Sequence, residues 1–533
     1  MQRSIATTYP PAGHEQVRRS DLLGRLRTAL DRADPAYIGL FFVTLAIGIY
    51  IFSNPARSGW YNHFVWQADA FLHGRFGIAY PVVDGPFVNG FFQDIMPLPS
   101  APGTPSYGLL PFPPLPAVLL MPFVALFGLA TDAQLFGVVL GAINVGLAWR
   151  LTTRVTDQRA AAFTATLFFA FGTVHWYAAI ISTTWFLAHV VAITFLLLGI
   201  TLALDAERRE QIRRALRLRG PDGPHKASPN PLAATFEQKS LFVAWGRRLA
   251  GQIDGLQFMA GFVFGLAALS RLTIIFGAPF FVFVGGGGSY RRRAISAGLG
   301  AAIPVGLLLL YNFASSGHFF NPIYEFLFQK QFEGQGYAPP GMYGEREWGV
   351  ENPRFIPISS IIMFLWPPTL LPHGIDCGLS LLKPTCPIAV PSPFGMSILL
   401  TSPAYLLIAL IAGAAWRKRV VLGALAAVAA IALVNLAHFS QGWVQFGYRF
   451  SNDFAPFALV LVTLGTAWLW TRRVHPFGWM FSLIFALLRL SLPSFIRVVA
   501  QFSVSGRNIA LLLVALSILV NAWGVYWGVT LGW

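Results

Sequence analysis

Apolar runs of roughly 17 to 25 residues recur along the whole of the 533-residue chain, each long enough to cross a hydrocarbon core as a helix. Lipid offers a bare peptide group no hydrogen-bond partner, so spanning segments must be helices or strands of a closed barrel. The runs show no alternation of polar and apolar residues in short segments, which excludes the barrel. Only 11% of the residues are charged and 55% are hydrophobic, against about 25% charged in a soluble domain. The chain therefore reads as an all-α polytopic membrane protein with about 12 transmembrane helices.

The hydropathy pattern places those spans near residues 36–53, 133–151, 160–175, 180–204, 256–270, 272–287, 294–314, 396–416, 420–437, 453–471, 476–491 and 508–530. With the N-terminus inside, most of the 38 basic residues fall on the cytoplasmic side. They lie in the Arg-rich segment before residue 35, around Arg150 to Arg159, in the 205–250 loop, and in "YRRR", "WRKR" and "TRR". That is the asymmetry expected of cytoplasmic loops, and it accounts for the net charge of +16 without nucleic acid.

One apolar stretch is left out of that count. "LLPFPPLPAVLLMPFVALFG", Leu109 to Gly128, opens with prolines at 111, 113, 114 and 116. Proline lacks the N–H that a helix ladder needs, so the entry is extended. If this stretch crossed, every later loop would invert and the Arg-rich 205–250 segment would lie outside. It is expected to be an extracytoplasmic, half-embedded helix starting near Pro116.

Two long extracytoplasmic loops result, 54–132 and 315–395. Residues 1–35 form a polar, basic cytoplasmic segment that lacks the early apolar core of a cleavable signal. Residues 36–475 are expected to form the main transmembrane module, and 476–533 to add C-terminal transmembrane helices. Within 205–250, "LRLRGPDGPHKASPNP" has the composition of a connector.

Candidate chemistry lies on the outer side. Asp69 sits in "NHFVWQADAFLHGRFGIAY", an amphipathic helix expected at the interface with Gly74 as its stop; Asp69 is either a solvated charge or a catalytic carboxylate. Asp94, in "GFFQDIMPLP", is flanked by apolar residues that would desolvate it and raise its pKa toward that of a general base; otherwise it caps a turn. Asp84 in "VVDGPF" reads as a turn residue. Arg271 in "LSRLT", and Tyr448, Arg449 and Asp453 in "FGYRFSND", fall at outer ends of spans. An arginine there either snorkels or faces an anion, and its fork suits phosphate. "GTVHWYAAIISTTWFLAHVVA" adds His175, Trp176, Trp185 and His189. Cys377 and Cys386, the only two cysteines, share an outer loop where a disulfide can form.

In order along residues 60–456, "ADAFLHGRF", "PFPPLPAVLLMPFVALFG", "FGTVHWYAAIISTTWFLAHVV", "GLAALSRLT", "YNFASSGHFFNPIYEF" and "FGYRFSNDFAPF" together resemble the GT-C superfamily of polyprenyl-phosphate-sugar-dependent glycosyltransferases. They are most similar to the bacterial relatives of protein O-mannosyltransferases and aminoarabinose transferases. The resemblance implies a lipid-linked sugar donor entering from the bilayer and a glycan, lipid or protein acceptor entering from outside. It implies an outer-loop acid as base, here Asp94 or Asp69, and inversion at the anomeric carbon. Arg271, Arg449 and Arg75 are the phosphate candidates that follow, with Tyr448, His189 and Glu325 beside them in substrate binding. A divalent metal serves some relatives, and no ligand cluster in the sequence decides the matter. The chain departs from the common pattern just after its first span, where "SNPARSGWYNH" contains no acid.

Two other classes compete. A secondary transporter would carry internal repeats and mid-span charges, and neither is visible here. A lipid-linked glycan ligase or polymerase shares the long outer loops.

Overall fold

The structure, a computed structural model, describes residues 32–57, 61–79, 94–99, 101, 106–219, 253–330, 332, 344–372, 380–474 and 503–533. The expected span at 476–491, most of the 205–250 loop, Asp84 and Cys377 lie outside the described residues.

Helices begin where the sequence offers an acceptor to their free N–H groups. Asp34 caps α1 (Pro35–Ser53) by accepting from Ala36 N at 2.8 Å. Next come α2 (His63–Leu72) and the proline-opened α3 (Leu115–Phe127). Asp132 caps α4 (Ala133–Val155) through Leu135 N. Then follow α5 (Arg159–Phe171), α6 (His175–Ile181) and α7 (Thr184–Arg219). Asp254 caps α8 (Gly255–Ala268), and Ser289 caps α10 (Tyr290–Ser316) beyond the short α9 (Pro279–Phe283). The long segment after α10 carries α11 (Ile323–Lys330) and α12 (Ile356–Phe364). The described bundle ends with α13 (Ile398–Thr401), α14 (Leu406–Ala415), α15 (Arg419–Ala437), α16 (Ala455–Trp470) and α17 (Gly506–Thr530).

Among the described residues six helices are long and apolar enough to cross a membrane: α1, α4, α7, α10, α15 and α17. The pair α5 and α6, bent by 44°, makes up to seven. Other expected spans are shorter or broken. That at 272–287 is a 3-10 turn, Leu272–Gly277, followed by α9, and Pro279 marks the break. That at 396–416 divides at Pro403 into α13, a 3-10 turn and α14.

The core is one apolar cluster around α16, which is buried along most of its length, with α5, α6, α7 and α15 about it. Close approach of α8 and α10 depends on small residues. A Cβ on Gly261 would meet the Ala297 carbonyl, and one on Gly265 would come within 2.8 Å of the Ala301 carbonyl. The outward faces of α10 and α1 stay apolar, with Leu307, Leu310, Phe41 and Phe52 exposed, as lipid-facing helices require.

The helix α3 has 13 residues, about 20 Å of rise, which falls short of a span. Its first N–H donates to Leu269 O at 3.3 Å, and Gly128, at φ +58°, ends it. One face, with Ala117, Leu120 and Val124, packs on α2; the other exposes Val118, Phe123 and Leu126. Sequence placed α2 at an interface with a wet side. Instead nearly every residue from His63 to Ala70 is buried, because α3 and the Tyr311 region of α10 close over it, and Gln67 donates to Tyr311 OH at 2.8 Å. The expected stop at Gly74, φ +68°, is present.

Candidate functional site

The start of α7 is fastened to the start of α2. Thr184 donates its hydroxyl to Tyr61 O at 3.0 Å, and its Oγ1 lies 2.7 Å from His63 Nδ1. That fixes the first turn, so Trp185 and His189, one helical turn apart, face the same side. Trp185 donates its indole N–H to Asp94 Oδ2 at 2.7 Å.

Asp94 arrives from the opposite direction. A three-stranded sheet, β1 (Ile78–Ala79), β3 (Tyr107–Leu109) and β2 (Met96–Pro97) in spatial order, is antiparallel throughout, and Asp94 precedes β2 by two residues. Its φ is +56°, a left-handed conformation that aspartate tolerates better than most residues. Burial pushes the carboxyl above its ordinary range, opposed by the Trp185 hydrogen bond and then by the charge of Arg449.

Deeper lies a second carboxylate, Asp453, fully buried and saturated with donors. Arg271 reaches it through Nε at 3.2 Å and Nη2 at 3.0 Å. Thr273 Oγ1 donates at 2.9 Å and Asn435 Nδ2 at 3.2 Å. His189 Nδ1 is 2.8 Å from its Oδ1. Five donors from α7, the α8–α9 junction and α15 converge on one side chain that opens α16. Asp453 is a knot holding four segments, and it neutralises Arg271.

Arg449, four residues earlier in the 3-10 turn Arg449–Asp453, is not neutralised in this way. Its guanidinium stands over the rings of Phe450 at 5.2 Å and of Trp185 and Phe186 at 5.9 Å. It forms no ion pair among the described residues, and its Nε is buried without a partner. Burial first, then the charge of Arg271, pushes its pKa down to about 10. Room for the guanidinium comes from Gly442, at φ +93°, where a Cβ would lie 2.9 Å from Arg449 Cζ.

Phe450 is the common floor. Arg271 and Arg449 lie over its ring at 5.4 and 5.2 Å, and His189 and His438 meet it edge-on at 6.2 and 6.5 Å. His438, the residue just beyond α15, has its Nδ1 2.7 Å from Glu351 Oε1. Backbone bonds from Asn352 N to Ala437 O and from Phe439 N to Val350 O strap residues 350–352 to the end of α15. Tyr324 of α11 meets the His438 ring edge-on at 6.0 Å, and burial pushes its phenol up to about 12.

The sequence candidates separate accordingly. Asp94, Arg449, Arg271 and His189 share one site. Asp69 and Arg75 sit elsewhere: Asp69, 29% exposed, pairs with His73 at 3.5 Å and Arg75 at 3.8 Å, and Arg75 covers Tyr107. Tyr448 is buried and donates to Gln441 Oε1 at 2.7 Å. Glu325 is exposed and accepts from Gln329 at 2.6 Å. Cys386 is disulfide-bonded, while Cys377 lies outside the described residues. Sequence reasoning named Trp185 without giving it a role, and did not single out Tyr324, Glu351, His438 or Asn435. The four-residue spacing of Trp185 and His189 was the one usable signal. No group of three or more metal-ligating side chains occurs among the described residues.

No family model matches the chain, and neither does any curated protein. Among solved structures it is similar to the Archaeoglobus fulgidus oligosaccharyltransferase in its apo form, at 15% identity and a TM-score of 0.44, over 92% of this chain and 56% of that one. It is also similar to AglB, the archaeal oligosaccharyltransferase from Archaeoglobus fulgidus, in complex with an inhibitory peptide and a dolichol-phosphate, at 13% identity and a TM-score of 0.41, over 92% and 56%. The chain thus spans little more than half the length of the structures it resembles.

Proposed function

We propose that this protein is a GT-C-type membrane glycosyltransferase that moves a sugar from a polyprenyl-phosphate donor to an acceptor hydroxyl on the extracytoplasmic side. The observation that carries this reading is the joining of Asp94 and Arg449 through one indole: Trp185 donates to the carboxylate and presents its ring to the guanidinium. A base and an unneutralised cation side by side are what displacement at an anomeric carbon requires. Asp94 takes the proton of the acceptor hydroxyl, and the acceptor oxygen attacks the anomeric carbon from the face opposite the phosphate. The bond from that carbon to the phosphate oxygen breaks, its electron pair leaves with the polyprenyl phosphate, and Arg449 stabilises the developing charge. Arg271 serves behind it, holding Asp453 and the floor ring in place.

The exposed face of α3 is the wall for the polyprenyl tail. It starts at the Leu269 carbonyl, two residues before Arg271, so a phosphate near the arginines has a lipid-facing surface beside it. The charge pattern supports an inner or plasma membrane location with a cytoplasmic N-terminus, about 12 spans with the 476–491 segment included, and a module of residues 36–475. Turnover of Asp94→Asn against farnesyl-phosphate affinity is the test. A loss of about 10² to 10⁴ in rate with unchanged affinity is expected, and near-normal turnover overturns the assignment of the base.

A further inference from the structure

Several polar tips around the Phe450 ring have no protein partner among the described residues. They are the Arg449 terminal nitrogens, the Tyr324 hydroxyl, the second oxygen of Asp94 and Nε2 of His438. The first and third are used by the proposed displacement. His438 is not, yet it is the most deliberately oriented of the set. A carboxylate only accepts, so in the neutral imidazole the Glu351 contact keeps the proton on Nδ1 and leaves Nε2 with a lone pair. The ring is held between Tyr324 and Phe450, and the strap of residues 350–352 against 437–439 fixes its backbone. His438 is 21% exposed and Glu351 51%, so the pair is open to solvent, from which an acceptor would enter.

We infer that Glu351 and His438 form an acceptor-binding dyad, in which Nε2 of His438 accepts a hydrogen bond from a second hydroxyl of a sugar acceptor while the neighbouring hydroxyl faces Asp94. The inference rests on the glycosyltransfer reading and deepens it by naming the acceptor class. Two separate proton acceptors, Asp94 and His438, suit a ligand with two donors on adjacent carbons. The half-buried ring of Tyr324 beside His438 suits the apolar C–H face of a pyranose. A serine or threonine side chain offers a single hydroxyl and no such face.

The test uses full-length protein in nanodiscs, a set of farnesyl-phosphoryl hexoses as donor probes, and two acceptor probes: methyl hexosides and a peptide containing serine and threonine. Transfer to the glycoside is expected. His438→Leu should raise the acceptor KM about tenfold or more, the effect of one lost hydrogen bond to substrate, with kcat and farnesyl-phosphate affinity unchanged. His438→Gln, whose amide oxygen can accept, should recover part of the loss. Glu351→Gln, which still accepts from Nδ1, should be milder than Glu351→Ala. A glycoside lacking the hydroxyl next to the reacting one should bind wild type weakly and lose little further in His438→Leu. An unchanged KM in His438→Leu, or transfer to the peptide alone, overturns the dyad while leaving the base and phosphate assignments standing. If wild type binds no farnesyl phosphate and Asp94→Asn changes nothing, the glycosyltransfer reading fails and the dyad with it.

Discussion

The indole of Trp185 and the carboxylate of Asp94 meet at 2.7 Å although 91 residues separate them. The contact joins the first outer loop to the first turn of α7, and it opposes what burial does to Asp94. Burial favours the neutral acid, whereas a hydrogen bond to the anion favours the charged form.

A pH profile follows from that opposition. A base must be ionised, so activity is expected to fall as pH drops through a pKa lying above the ordinary carboxylate range. Trp185→Phe keeps a ring under Arg449 but removes the N–H. The pKa should then rise further, and the acid limb of kcat/KM should move to higher pH. An acid limb that stays in place shows that the indole does not tune the base.

Asp453 should matter for folding more than for chemistry. Removing a partner from a buried ion pair leaves an uncompensated charge, at a cost of about 3 to 5 kcal/mol. Asp453→Ala is therefore expected to lower the melting temperature in detergent sharply. Adding Arg271→Met, which removes the stranded cation, should restore part of it. Equal melting temperatures for wild type and Asp453→Ala contradict the knot.

Gly442 gives a test of Arg449 that leaves the arginine itself untouched. At φ +93°, and with a Cβ 2.9 Å from the guanidinium carbon, Gly442→Ala both strains the turn and displaces the side chain. Farnesyl-phosphate affinity should drop about tenfold or more, as for Arg449→Lys, which keeps the charge but loses the fork. Isothermal titration in nanodiscs measures both. Unchanged affinity in the two variants places the phosphate elsewhere.

Topology is checked by labelling. With Cys377 and Cys386 replaced by serine, a cysteine at position 226 should react with an impermeant thiol reagent only after the membrane is opened. One at position 347 should react in intact cells. A reversed result would move every proposed site residue to the wrong side.

The fold was legible where physical constraints are strict. Lipid admits only self-satisfied backbone, so long runs such as Ala133–Val155 stood out, and prolines at 113, 114 and 116 announced the start of α3. Sequence overcounted regular helix where proline breaks it internally, at Pro279 and Pro403, because hydropathy registers the apolar run and not its interruption. The burial of α2 was illegible for a different reason: its covering, α3 and Tyr311, comes from far along the chain. Arg271 and Arg449 were equally good phosphate candidates on composition. Only tertiary contact divides them, since Asp453 occupies the fork of the first and aromatic rings surround the second. Glu351 and His438 lie 87 residues apart, and neither carries a local pattern that points to the other.

The short helix α3 has a consequence for selectivity. Its 13 residues start at the carbonyl beside the arginines and end at Gly128 within about 20 Å. Under the proposed function such a wall would touch only the first few isoprene units of a tail and leave the remainder in ordinary lipid. A glycosyltransferase built this way would gauge the depth of a head group and ignore chain length, so donors built on short and long polyprenols should compete as equals once each is dissolved in the same bilayer.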